Sequence, residues 1–184
     1  MTNADWYLIR SSGVVSLVLL TAVMALGIAS SNRWRIGAQP RFVTTALHRS
    51  LSLLSVVFLA IHVVTTLLDP YAAVSLLATL LPFARAANAL WIGIGAVSLD
   101  LVIALIVTSL LRARLGYRTW RLTHWLAYLS WPLAFAHSVG MGSDASTRWF
   151  QVTALGCLAF VTLALVSRLL TYRPGKRLEP QVTP

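Results

Sequence analysis

Four histidines are the side chains in this sequence best suited to chemistry, and they come as two pairs: His48 with His62, and His124 with His137. Each pair sits in a run too apolar for water, LHRSLSLLSVVFLAIH from Leu47 and WRLTHWLAYLSWPLAFAH from Trp120. On a helix rising ~1.5 Å per residue, spacings of about 14 and 13 residues correspond to roughly 21 and 20 Å, most of the ~30 Å hydrocarbon thickness of a bilayer. A helix from each run therefore offers one imidazole near each membrane face. If the two helices run in the same direction, His48 stands level with His124 and His62 with His137. Two opposed imidazoles at one level form the axial ligand set of a b-type haem, and two such levels stacked across a bilayer form a path for electrons. The competing roles are hydrogen-bonded structure and zinc. Zinc would need two further ligands at each level, and no cysteine or nearby carboxylate supplies them.

The elements that must carry these residues follow from composition. The sequence of 184 residues is 58% hydrophobic with a mean hydropathy of +0.76, more than a soluble domain can bury. The expectation is an all-α, multi-pass bundle of about five transmembrane helices, at 12–30, 42–68, 89–111, 119–140 and 149–171. Residues 1–172 make one domain and 173–184, with Pro174, Gly175, Pro180 and Pro184, a flexible tail.

Position decides what the 15 Lys and Arg residues mean. Arg33, Arg35, Arg41 and Arg49 follow the first span, Arg112, Arg114, Arg118 and Arg121 the third, and Arg168, Arg173, Lys176 and Arg177 the fifth. The other connections carry Arg10, Arg85 and Arg148, interleaved with Asp5, Asp69 and Asp144. The positive-inside tendency then puts the N-terminus outside and the C-terminus inside a plasma (inner) membrane, and the charge calls for lipid rather than nucleic acid. A cleaved signal peptide over residues 1–30 is not expected: Asp5 balances Arg10, the apolar run is long, and cleavage would leave the arginine-rich loop outside. Cys157 has no intramolecular partner, and there is no C-x-x-C-H for covalent haem attachment.

Taken in order, the first span offers Gly13, Ser16, Ala22 and Gly27 for close helix packing. The second lines up Ser52, Ser55, His62 and Thr66 within ~40° of His48 on the helix wheel, as a site for a flat macrocycle or a hydrogen-bonding seam. Segment 69–88, between Pro70 and Pro82 too short to span, reads as an interfacial or re-entrant cap that covers a cofactor, docks a partner or simply packs. Asp100 in the third span is a costly carboxyl with either a structural or a functional role. In the fourth span Tyr128, Trp131 and Phe135 share the face of His124, but an ideal helix turns His137 ~140° away from it. Pro132 between them removes a hydrogen bond to Tyr128, and local tightening there would correct much of the phase. The fifth span reads as packing.

These residues resemble the ferric reductase-like transmembrane domain family, shared by ferric reductases, NADPH oxidases and the haem subunit of the periplasmic methionine sulfoxide reductase system. The resemblance rests on Leu47-His48-Arg49 with His62, then Thr108-Ser109, Leu115-Gly116, Trp120, His124, Tyr128 and His137, and covers about residues 10–172. It implies two haem b groups, the inner held by His48 and His124 and the outer by His62 and His137. It also implies electron transfer from a cytosolic donor to an outer acceptor. Family oxidases and reductases usually add a flavin and nicotinamide region and often a helix before the first one here; no G-x-G-x-x-G occurs in this sequence. The expected donor is therefore a separate cytosolic flavin reductase or a membrane quinol, with Asp100 as a candidate proton acceptor in the second case. Arg49 is the first candidate for a haem propionate, in a cluster with Arg41, Arg118 and Arg121. Trp131, about midway between His124 and His137, is the candidate bridge between haems, with core packing as its other role. The expected acceptor is an exported redox protein, since no catalytic base or charge cluster marks a substrate site. Direct reduction of ferric chelates or oxygen, and a non-redox transporter or assembly factor, are the alternatives.

Overall fold

The computed structural model describes residues 3–31, 41–70, 72, 74–83 and 89–171. The elements are α1 (Asn3–Ser31), α2 (Arg41–Leu68), α3 (Leu76–Leu80), α4 (Ala89–Leu110), α5 (Arg112–His124), α6 (Ala127–Met141) and α7 (Arg148–Thr171). No strand occurs among the described residues. Residues 173–184, expected as a tail, and the side chain of Arg41 lie outside the described set.

Four helices are each long and apolar enough to cross a membrane alone: Trp6–Ser31, Phe42–Leu68, Ala89–Leu110 and Arg148–Thr171. Their outward surfaces are apolar, as lipid-facing surfaces are; Leu53, Val57, Val64 and Leu68 on α2 and Leu155, Leu163 and Leu170 on α7 are all exposed. The expected span at 119–140 is built from two helices, with a joint at Trp125 and Leu126. It still traverses the bundle, because its two histidines meet the two histidines of α2 at opposite ends.

The first helix begins well before the expected residue 12. Ser12 folds its hydroxyl onto the carbonyls of Leu8 and Ile9, at 2.6 and 3.1 Å, and Ser11 reaches Leu8. With their hydroxyls spent on the preceding turn, these serines sit inside an apolar helix without an unpaired group. The extension carries Ile9 and Arg10 to the level of His62.

The centre of the bundle is α1, which packs against α2, α6 and α7, while α4 packs against α6. A core of Leu17, Met24, Ile28, Trp131, Cys157 and Val161 joins α1, α6 and α7. By contrast, α2 and α6 make no comparable packing with each other. Their backbones stand apart, and the gap between them is where the histidines point.

The end near His62 is capped by segment 69–83. Ser75 caps α3 by accepting from the Ala78 N–H at 3.1 Å, α3 lies on α4, and Phe83, at φ 62°, fills the space left by Gly93. Leu76, Leu77, Leu80 and Leu81 remain exposed and Ala78 is buried, the pattern of a short interfacial piece.

Candidate functional site

The fourth span solves its phase problem one turn before Pro132. Trp125 donates to Leu122, Leu126 to Thr123, Tyr128 to Trp125 and Leu129 to Leu126, all i to i−3 bonds of 2.9–3.2 Å. Such bonds wind the chain at ~120° per residue rather than ~100°, so four of them recover much of the ~140° offset. Pro132 has no N–H for the carbonyl of Tyr128, which removes the bond that would favour regular winding through this stretch. His124 and His137 thereby face the same helix.

That helix is α2. The rings of His48 and His124 have centroids 6.3 Å apart with planes crossed at 71°, and those of His62 and His137 are 6.5 Å apart at 75°. Two metal–imidazole bonds of ~2.0–2.1 Å plus ~1.1 Å from each ring centre to its nitrogen give ~6.2–6.4 Å across a shared metal. Both pairs match that span. Three rings are also fixed in the tautomer a ligand needs: Nδ1 of His48 donates to the Val23 carbonyl at 3.0 Å, His62 to Ile9 at 3.0 Å and His137 to Trp91 at 2.8 Å. Each leaves the Nε2 lone pair free for a metal. The fourth ring, His124, stacks on Trp120 at 5.0 Å, and its buried Nδ1 has no hydrogen-bond partner.

A cavity of about 330 Å³ surrounds the His62 and His137 level, lined among others by Gly13, Gly95, Thr66 and Leu59. Its mouth holds Arg10, ion-paired with Asp144 and lying 3.7 Å over the Trp6 ring, and Asp69. Val74 and Thr79 of the cap close its side. Histidine rings paired at matching separation, a cavity between helices and glycines at the rings fit flat macrocycles, each held between two histidines. Among the described residues no cluster of three or more His, Cys, Asp or Glu forms.

Trp131 lies buried between the two levels, donating from Nε1 to Thr21 Oγ1 at 3.0 Å and stacking on Phe135 at 5.4 Å. The Thr21 hydroxyl in turn donates to the Leu17 carbonyl at 2.8 Å, so the pair is fully bonded. Arg49 is exposed beside His48 and makes no ion pair among the described residues. Asp100 is half-buried in α4, likewise without a hydrogen bond or ion pair there. In the polar stripe on α2 the histidines bond across to α1, while the hydroxyls stay within their own helix: Ser52 donates to the His48 carbonyl at 2.6 Å, Ser55 to Ser52 at 2.9 Å and Thr66 to His62 at 2.7 Å.

Sequence reasoning missed Arg10, Arg168 and the glycines. Arg168 donates to Tyr128 and to Ser31, the latter at 3.0 Å, and lies 5.4 Å from the Trp125 ring, tying α7 to the joint between α5 and α6. Gly13 and Gly27 make room for histidine rings rather than for a helix backbone. Their spacing matches that of His48 and His62, a signal present in the sequence.

Comparisons with known proteins agree with this architecture. No curated protein and no solved structure gave a significant match. The model of the family described as "Ferric reductase like transmembrane component" matches residues 12–135, about two thirds of the chain. The match takes in α2, α4 and α5 with His48, His62 and His124, and ends two residues before His137. The chain belongs to the ferric reductase like transmembrane component family.

Proposed function

We propose that this chain is a di-haem, b-type electron-transfer subunit that carries electrons across the plasma (inner) membrane. The observation that carries the reading is the double facing of imidazoles, 6.3 and 6.5 Å apart, at two levels between α2 and the α5–α6 crossing. When bound at such a level, a haem supplies a one-electron couple. The protein's part is to hold and orient. His48 with His124, and His62 with His137, would hold the haems between their paired rings. The bonds from Nδ1 to Val23, Ile9 and Trp91 keep three of those rings from turning. The apolar walls of α1 and α4 and the cap residues Val74 and Thr79 line the His62 level and would limit its contact with water.

Direction follows from charge. Arg112, Arg114, Arg118 and Arg121 line the end near His48 and His124, which the positive-inside tendency puts in the cytosol. Electrons then enter from a cytosolic flavoprotein, or from membrane quinol with Asp100 as proton acceptor, and leave near His62 and His137. The mouth there, with Arg10 paired to Asp144, presents no unpaired charge cluster for a small substrate among the described residues, which favours an exported redox protein as acceptor.

A pyridine haemochrome assay on the purified chain, expressed with ample haem, tests the cofactor: two b-type haems per chain are expected, and a folded, colourless protein sinks the reading in favour of a non-redox role. Anaerobic reduction followed by reoxidation separates the acceptors. Rapid reoxidation by ferric citrate or oxygen alone, at rates matching cellular turnover, would replace the partner protein with a small acceptor.

A further inference from the structure

Three of the four histidines are held by one repeated device. His62 bonds the carbonyl of Ile9 and its ring lies against Gly13; His48 bonds Val23 and lies against Gly27; His137 bonds Trp91 and lies against Gly95. In every case the glycine stands four residues after the carbonyl. In a helix a side chain covers the turn N-terminal to its own Cα, so the residue at i+4 shields the carbonyl of residue i, whose second lone pair stays available as an acceptor. Glycine at i+4 uncovers that lone pair. A Cβ at Gly13, Gly27 or Gly95 would come within 3.0, 3.3 and 2.5 Å of the respective ring.

The register of α4 shows where the fourth copy would fall. His124 precedes His137 by 13 residues, and α4 runs antiparallel to α6, so the same distance from Trp91 reaches Ala104. The larger rise of i to i−3 winding, ~2.0 Å per residue against ~1.5 Å, extends the reach to Leu105. The residue placed to uncover Ala104 is Thr108, which instead donates its hydroxyl to Ala104 at 2.7 Å and also contacts the Leu105 carbonyl at 3.3 Å. The Nδ1 atom of His124 is the one left without a partner.

We infer that Gly13, Gly27 and Gly95 are positioning residues for His62, His48 and His137, and that Thr108 withholds the matching bond from His124. The inference rests on the di-haem reading for its consequence. An Nδ1–H that donates to a carbonyl makes the ligating nitrogen a stronger donor, which favours the oxidised iron. The level near the basic end is thus built with one fixed and one adjustable imidazole, and Thr108 sets its potential without touching the cofactor.

The experiment uses the full purified chain, labelled with 15N-histidine and held in the diamagnetic ferrous state, together with redox titration of both levels. Three Nδ1–H resonances with strong hydrogen-bond shifts are expected, and one without. Thr108→Gly removes the hydroxyl and opens the lone pair: the fourth resonance should join the other three, and the midpoint of the His48 and His124 level should fall by up to about tenfold in the Fe(III)/Fe(II) equilibrium, ~59 mV for one electron, with the other level unchanged. Gly27→Ala should weaken the His48 bond and raise that midpoint. Gly95→Ala should act more severely on the His137 level, and should it fail to fold, the milder Gly27→Ala carries the test. Gly156, whose added Cβ meets nothing within 4 Å, is the control. A chain that holds two haems but shows unchanged histidine resonances and midpoints in both Thr108→Gly and Gly27→Ala overturns the inference alone. A wild-type chain without haem overturns the reading beneath it.

Discussion

At the level of His62 and His137, both rings donate to backbone carbonyls and lie in a cavity lined by α1, α4 and the cap. At the level of His48 and His124, one ring is bonded to Val23 and the other rests against Trp120 on α5, a helix with no buried residue. The same two crossing segments thus support one level lined on several sides and one level more open toward the basic end. Enclosure suits a site that must exclude water while electrons leave. Openness suits a site that a separate donor must reach.

Removal of a ligand probes this difference with the largest effect. His137→Ala and His124→Ala are each expected to lower the haem count from two to one per chain. They should differ in rescue. A free imidazole can enter beside the exposed α5 but must pass the cap and the Arg10–Asp144 pair to reach the other level. Millimolar imidazole should therefore restore the lost haem spectrum in His124→Ala and not in His137→Ala. Equal rescue would mean the two levels are equally enclosed.

Between the levels, Trp131 is the side chain that belongs to neither. Its burial and its bond to Thr21 fix an aromatic ring between the two levels. Trp131→Leu should slow transfer between the levels several-fold while leaving both spectra nearly intact, as read by flash reduction of one level. It should also cost stability, about 2 kcal/mol, since Trp→Ala in a core costs ~3–5 and leucine refills part of the space. The Thr21 hydroxyl keeps its bond to Leu17, so no buried donor is stranded. An unchanged transfer rate with the stability loss would make Trp131 a packing residue.

The histidine levels were legible because ligand type and helical spacing are both written in one dimension, and so was the tightening of the fourth span. Pro132 announced that tightening, although the short bonds fall at 122–129, just before it. The joint at Trp125 was not legible, since Trp125 and Leu126 keep right-handed helical angles and differ from their neighbours only in hydrogen-bond partner. Nor were the acceptors for Nδ1, because backbone carbonyls leave no mark in a sequence except through the residue that uncovers them. Gly13 and Gly27 carry that mark, but small residues in an apolar helix point equally to close helix packing. Arg10 was hidden by the expectation that the first helix starts at residue 12, whereas serine hydroxyls folded onto their own turn let it start earlier.

Two arginines, one at each level, sharpen the comparison. The Arg10 side chain is 16% exposed, pairs with Asp144 and lines the cavity with His62 and His137; Arg49 is exposed beside His48. A cation near a haem favours the reduced state, which carries one more electron, so loss of either should lower the midpoint of its level. Arg10→Leu also leaves Asp144 unpaired in a partly buried site, where its charge acts in the same direction with little screening. About a tenfold change in the Fe(III)/Fe(II) equilibrium is expected there, ~59 mV for one electron. Arg49 is exposed, where salt at 0.15 M screens over ~8 Å, so Arg49→Leu should change the equilibrium less than about threefold and not at all in 1 M salt, where screening tightens to ~3 Å. Redox titration of both variants at low and high salt decides it. A salt-resistant shift in Arg49→Leu would put that side chain against the cofactor, and the His48 level would then be as enclosed as its counterpart.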